Sequence, residues 1–151
     1  MGRTFGSIGE FKEFLLSKSV EAVDSVKGEV YGKFQEKLGK YYSEFSPEEY
    51  IRTGALQNSL NQEGAFSTGS GARARVYFST PSYAQGMMLL QHTPEHGRYG
   101  WATWSGEQVL DTAMGGSHGG YASGTPIWSS AMAELGGSGG IKAKLKNAMG
   151  V

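Results

Sequence analysis

The first third of the chain carries one long helical repeat of apolar positions. Apolar residues recur at helical spacing from Ile8 to Tyr41, and charged residues fall largely between them. Ser7 followed three residues later by Glu10 forms a capping box, which marks the start of a helix. The pattern therefore predicts one amphipathic helix that runs to about Phe45.

This helix is long for a chain of 151 residues. At about 1.5 Å per residue it would span about 50 Å or more, which is too long for a domain of this size to bury throughout. We expect part of the apolar stripe to face another subunit. Gly28, Gly32 and Gly39 weaken the helix, so we also expect a bend, or a division into two helices, near Gly28.

Residues 50–60 join the helix to a Gly-rich, aromatic second half. Thr53 can cap a short helix that runs from Gly54 toward Leu60, with Leu56 as an apolar anchor. Two interpretations stay open at this point. The segment is either a hinge that locks a short helix onto another part of the molecule, or an ordinary capped helix in a small core.

Strand periodicity is clearest where polar and apolar residues alternate from Arg73 to Phe78. Residues 65–68 can pair with this strand across the Gly-Ser-Gly turn at 69–71. Residues 101–104 and 108–111 are two further predicted short strands.

The last part of the chain predicts two helices. Thr125 is the expected cap of a helix that starts at Pro126 and continues through Leu135, because proline is favoured at the first helical position. A glycine-rich run at 136–140 ends it, and 141–149 is predicted as a basic amphipathic helix.

Charge and composition exclude several classes of protein. Fourteen basic and fourteen acidic residues cancel, which removes the positive field that a non-specific nucleic-acid binder uses. With no cysteine there is no disulfide, thiolate metal site or cysteine nucleophile. No stretch has the length or character of a membrane span or an export signal, so we expect a soluble protein.

Glycine is unusually frequent, with 24 residues, and half of them lie between Gly97 and Gly140. Because glycine loses much entropy on ordering, we predict a mobile loop at about 91–124. The loop either orders against a partner or is simply flexible.

The histidines do not define a metal site. His92 and His96 have a spacing that would suit a helix, but Pro94 and Gly97 oppose a regular helix there. The nearby candidates for a third ligand are not fixed by the sequence; they are Glu95, Asp111 and His118. We expect no bound metal, and loop histidines that face solvent.

No catalytic motif stands out. The chain lacks a Gly-x-Ser-x-Gly elbow, and Glu95 with Asp111 is a carboxylate pair of a kind that many chains offer. The glycine-rich run 115–120 lacks the Gly-Lys-Ser/Thr ending of a phosphate-binding loop. We therefore expect neither enzymatic activity nor a cofactor.

Aromatic residues cluster in the same region, at Tyr99, Trp101, Trp104 and Tyr121. Such side chains can stack on sugars or on a protein partner, or they can cover the small sheet as ordinary packing. The sequence leaves these alternatives open.

Several short motifs carry a family resemblance through their order. They are Thr-Gly-x-Leu-x-x-Ser at 53–59, the strand at 74–78, Tyr-Ala at 83–84 and Thr-Pro-x-Trp-x-x-Ala at 125–131. Together with the long N-terminal helix and the Gly-rich loop, they resemble the small neck and minor-capsid proteins of long-tailed bacteriophages. This group includes the tail-completion proteins at the head-to-tail junction. Several relatives have an acidic residue and a glycine, or aromatic residues, where Gln85-Gly86-Met87-Met88 follows Tyr-Ala here, which leaves the branch open.

The resemblance implies one α+β domain over 1–151, in which a long N-terminal amphipathic helix packs with shorter helices on a small antiparallel sheet. It implies a structural virion protein that is not an enzyme, needs no cofactor and forms a homo-oligomeric ring in the neck of the particle. The implied partners are portal or head-closure proteins and tail-tube or tail-terminator proteins. No membrane and no sequence-specific nucleic acid is implied, and assembly would take place in the host cytoplasm.

The interpretation assigns packing to residues 52–60 and 83–90, and contacts between proteins to the loop 91–124. The individual residues that we expect to serve interfaces or packing are Arg52, Thr53, Gly54, Leu56, Tyr83, Trp101, Trp104 and Trp128. Two other classes stay open as alternatives, a virion-associated cell-wall hydrolase acting through Glu95 or Asp111 and a carbohydrate-binding module acting through Trp101 or Trp104.

Overall fold

The computed structural model describes residues 2–46, 54–79, 88–93, 98–103, 106–117 and 123–150, and over 88–93 and 98–103 it describes the backbone alone. The elements are helix α1 (Ile8–Glu44), a 3₁₀ turn (Gln57–Ser59), strands β1 (Leu60–Ser67), β2 (Ala72–Phe78), β3 (Met88–Thr93) and β4 (Arg98–Thr103), and helices α2 (Gly106–Met114), α3 (Ile127–Glu134) and α4 (Gly137–Met149). This α+β arrangement with a long N-terminal helix and antiparallel strand pairs confirms the predicted fold class.

Helix α1 begins where the sequence predicts. The Ser7 hydroxyl accepts a hydrogen bond from the Glu10 amide, and the Glu10 carboxylate accepts one from the Gly6 amide at 2.8 Å. Of the two outcomes expected near Gly28, the division into two helices is wrong, because α1 is one uninterrupted helix, and the bend stays a prediction. The glycines lie on the exposed face of α1, and the other face is packed in the core. This packing stabilises the helix by more than the low helix propensity of glycine destabilises it.

Strands β1 and β2 form an antiparallel hairpin, as predicted across the turn at 69–71. Strand β1 is longer than expected, because Leu60 already pairs with Phe78. The helix predicted from Gly54 to Leu60 is therefore wrong. Gly54 has φ of +74°, which interrupts a right-handed helix, and only the short 3₁₀ turn precedes the strand.

Strands β3 and β4 form a second antiparallel hairpin, in which Leu90 pairs with Trp101. The strand predicted at 101–104 is confirmed through Thr103. The strand predicted at 108–111 is wrong, since these residues lie in α2. Buried Val109 and Ala113 are four residues apart, and this helical spacing fits the core better than an extended chain does.

The boundaries of the last two helices differ from the prediction. Thr125 does not cap α3; Pro126 is the N-cap, and the Thr125 hydroxyl donates to the Glu44 carboxylate instead. Of the glycine-rich run 136–140, only Gly136 lies outside a helix, with φ of +76°. Helix α4 begins at Gly137, before the predicted start at 141.

The core lies along the C-terminal half of α1. It combines side chains from this helix, from the residue before the 3₁₀ turn, and from β1, α2 and α3. The buried members are Phe34, Leu38, Tyr41, Leu56, Leu60, Val109, Ala113, Ile127 and Ala131. Among the described residues, no helix combines the length and the apolar character that crossing a bilayer requires.

Candidate interaction surfaces on the long helix

The apolar stripe of α1 loses its cover toward the start of the helix. Ile8 is 87% exposed, Phe11 44% and Leu15 41%, whereas Ala22 and Val26 are only 2% and 5% exposed. Ile8, Leu15 and Ala22 are seven residues apart, and a step of seven returns to nearly the same helix face with a drift of about 20°. The covered and uncovered residues thus belong to one stripe. We call Ile8, Phe11 and Leu15 the α1 tip.

The residues that precede α1 pack beside the tip. The Phe5 ring lies 5.1 Å from the Phe11 ring and 5.2 Å from the Phe14 ring, measured between centroids. The Arg3 guanidinium stands 4.7 Å from the centre of the Phe14 ring, in cation–π geometry. Arg3 and Phe5 therefore pack on the side of the helix that carries Phe14, and Ile8 and Leu15 stay exposed.

An open groove lies further along α1, where β2 and α4 meet the helix. Its volume is about 230 Å³. The apolar lining comes from all three elements; it consists of Val23, Val26, Val30, Ala74, Val76, Ile141 and Leu145. We call this feature the α4 groove.

The charged groups at the α4 groove are paired within the chain. Lys27 lies 2.8 Å from Asp24, and Arg75 lies 3.6 Å from Glu63. Lys144 of α4 lies 2.5 Å from Glu29. The groove therefore presents an apolar floor with largely compensated charges around it, which suits an apolar ligand surface.

A cluster of charges fastens α3 to the covered half of α1. Lys37 is a buried residue whose ammonium pairs with the Glu134 carboxylate, and this carboxylate also pairs with Lys33 at 2.9 Å. Hydrogen bonds from Lys37 and Lys33 lower the pKa of Glu134 to about 2. The bonded carboxylates raise the pKa of both lysines above the usual range. This cluster holds two helices together through paired charges.

Residues near the C-terminal end of α1 form hydrogen bonds with the residues that precede and follow 118–122. The Tyr41 hydroxyl donates to the Ser117 carbonyl at 2.6 Å, and Ser117 forms a β-bridge with Ser123. The Thr125 amide donates to Glu44 at 2.5 Å. These bonds hold the residues that flank this segment against α1.

The predicted interface and packing residues fall in different places. Leu56 is buried in the core, and Gly54 makes the turn that precedes the 3₁₀ turn. Trp128 is 54% exposed, with its ring centroid 5.3 Å from that of Phe34. Trp101 lies in β4. The remaining predicted residues lie outside the described part of the chain; they are Arg52, Thr53, Tyr83 and Trp104.

The groups considered for metal binding or catalysis are not gathered in the described residues. His92 lies in β3 opposite Tyr99, and Asp111 is an exposed residue of α2. Glu95, His96 and His118 lie outside the described ranges. Within those ranges, no three histidine or carboxylate side chains come together as a metal site would require. The predicted mobility of the loop 91–124 stays a prediction, and its described parts form β3, β4 and α2.

The sequence predicted the stripe but not the α4 groove or the long-range polar contacts. Lys37 and Glu134 are 97 residues apart in the chain, and Thr125 and Glu44 are 81 apart. No local pattern couples residues at such separations, so only the folded chain reveals these contacts. The groove also depends on where α4 packs, which the helical period of α4 does not specify.

Comparison with protein families, with curated proteins and with solved structures found no match for this chain.

Proposed function

We propose that this chain is a structural protein of a tailed bacteriophage, which forms a ring at the junction of head and tail and acts through protein contacts. The partners in this proposal are further copies of the chain, with portal or head-closure proteins on one side and tail-tube or tail-terminator proteins on the other. The proposal includes neither catalysis nor a cofactor.

The α1 tip is the observation that carries the proposal. Large apolar side chains scattered singly on a surface are common, but here they continue the stripe that α1 buries in its own domain. A stripe that extends beyond its own cover is typical of a subunit that meets a neighbour. The absence of net charge on the chain also means that copies do not repel one another at long range.

The motifs behind the family resemblance support it at the level of packing. The first motif contributes buried Leu56 and Ser59, and the last contributes Ala131, which has no exposed surface. Motifs that fill a core at these positions are what a shared fold requires. Three motif residues thus pack in the core, and the virion role is inferred from the resemblance.

The test is the mass of the purified protein by light scattering, first alone and then with portal-bearing heads or with tail tubes from the same source. We expect a ring, or a monomer that forms a ring on one of these particles, and the particle that recruits it identifies the side of the neck. A monomer that ignores both particles would contradict the proposal. Lytic activity on a zymogram, or quenching of tryptophan fluorescence by glycans, would then favour the hydrolase or the carbohydrate-binding module.

A further inference from the structure

We propose that the α1 tip of one copy docks head to tail into the α4 groove of a second copy. Ile8, Phe11 and Leu15 supply the inserted apolar surface, and the groove between α1, β2 and α4 supplies the receiving one. This contact would be the interface between neighbouring subunits of the proposed ring. That the subunits close into a ring rests on the proposed function, but the docking of one copy on another does not.

The α1 tip cannot contact the α4 groove of the same chain. The tip is centred near Phe11 and the groove near Val26, and both lie on the same uninterrupted helix. Fifteen residues of helix separate them by about 22 Å at 1.5 Å per residue. A helix cannot fold back on itself over that distance, so the tip of one copy reaches only the groove of another.

The chemistry of the two surfaces fits this pairing. The groove floor is made of aliphatic side chains such as Val26, Val76 and Leu145, and the tip offers two aliphatic side chains and one phenyl ring. The charges beside the groove are already paired with carboxylates of the same copy. Docking therefore removes apolar surface from water on both sides without burying an unpaired charge, which is the favourable case.

Pairing of two tips is the main competing arrangement. It would join three side chains from each copy, and it would leave both grooves open. It would also close a dimer by twofold symmetry. Head-to-tail docking uses two different surfaces of every copy and generates a ring or a filament, so each copy makes two contacts.

Three variants test the pairing. Ile8→Asp changes the tip, Leu145→Asp changes the groove, and Phe66→Asp is a matched control on an exposed aromatic residue of β1 outside both surfaces. Ile8→Asp adds a carboxylate to the first turn of α1, where the helix dipole favours it, so α1 itself is not weakened. Mass is measured by light scattering over a concentration series, and circular dichroism monitors the fold.

We expect Ile8→Asp and Leu145→Asp each to weaken self-association about 10- to 100-fold, as expected for the loss of one buried aliphatic contact. Phe66→Asp should associate like the parent chain. An equimolar mixture of the tip and groove variants should form dimers and stop there, because one intact tip can meet one intact groove. A mixture that stays monomeric would overturn head-to-tail docking, and so would a parent chain that is monomeric throughout the series.

Cross-linking provides a second measurement, which does not depend on the stability of the Leu145→Asp variant. The chain contains no cysteine, so Ile8→Cys and Leu145→Cys each introduce a single thiol. We expect oxidation of the mixed variants to give the 8–145 disulfide between copies. Links only between two Ile8→Cys chains would establish tip pairing and overturn the inference. Docking that forms an open filament, with no ring and no recruitment to heads or tails, would instead sustain the inference and contradict the proposed function.

Discussion

The two ends of α1 follow one sequence pattern but meet different surroundings. From Ala22 to Tyr41 the stripe lies against the hairpin of β1 and β2, α2 and α3, whereas from Ile8 to Leu15 large apolar side chains are exposed. The difference shows that periodicity specifies which face of a helix is apolar but not what covers that face. One end of α1 therefore serves stability, and the other is available for association.

Replacing a phenylalanine by alanine should give the largest difference in unfolding free energy between the two ends of α1. Phe34 is buried against Phe78 and Trp128, so Phe34→Ala should lower the free energy of unfolding by about 3 to 5 kcal/mol. Phe11→Ala should change it by less than about 1 kcal/mol, because the ring is partly in water already. Urea unfolding of monomeric protein measures both. Equal losses would show that the tip is part of the core.

Alanine at Gly116 should disturb the support at the covered end of α1. Gly116 has φ of +80°, and an added Cβ would lie 2.6 Å from the Gly124 carbonyl oxygen. Gly116→Ala should therefore cost more than the roughly 1 to 2 kcal/mol of the backbone conformation alone. Gly69→Ala is the matched control, since its φ is +83° and its Cβ would meet nothing within 4 Å. Thermal unfolding of both variants should separate the steric cost from the conformational one.

Acid should weaken the covered end through Glu134. The folded-state pKa of this carboxyl is about 2, below its ordinary value of 4.5, so its contribution to stability is present above about pH 4.5 and is lost as pH falls toward 2. Glu134→Gln should flatten the pH dependence of the unfolding free energy in that window. Glu21→Gln, which breaks an exposed pair with Lys18, is the control and should change the profile little. A profile unaltered by Glu134→Gln would contradict the role of the cluster.

The smallest effect is expected from glycines on the exposed face of α1. A Cβ at Gly28 would meet nothing within 4 Å, so Gly28→Ala should raise the unfolding free energy by about 0.5 to 1 kcal/mol. Gly9→Ala, in the first turn, should leave global stability unchanged, because the end of a helix opens locally without unfolding the domain. Amide hydrogen exchange distinguishes the two results. A similar gain at both positions would mean that α1 unfolds as one unit from its first turn.

The sequence predicted those parts of the fold that depend on local pattern. The start and length of α1, the hairpin around 69–71 and the two C-terminal helices follow from caps, alternation and helical period. Two of the errors arose where a tertiary contact outweighed a local signal. Thr125 has the chemistry of a cap, but its hydroxyl donates to Glu44, and Val109 favours strands yet lies in a helix that fills the core.

The candidate surfaces were predictable only in part. The length of the stripe indicated that some of it would remain uncovered, and Ile8 shows which end. The α4 groove was not predictable, because it requires β2 and α4 to meet the same turns of α1. Trp128 was predicted as an interface or packing residue, and its ring is half exposed while it contacts Phe34.

The position of the core partners has a consequence for synthesis on the ribosome. Helix α1 is made before the elements that cover it, and Lys37 meets its partner Glu134 only after 97 further residues. Ile127 and Ala131 complete the core from the same distant region. A nascent chain therefore leaves the part of the apolar stripe that α2 and α3 cover exposed to water until those helices are made. We expect the domain to fold after α3 leaves the exit tunnel, and until then the emerging stripe is a substrate for chaperones.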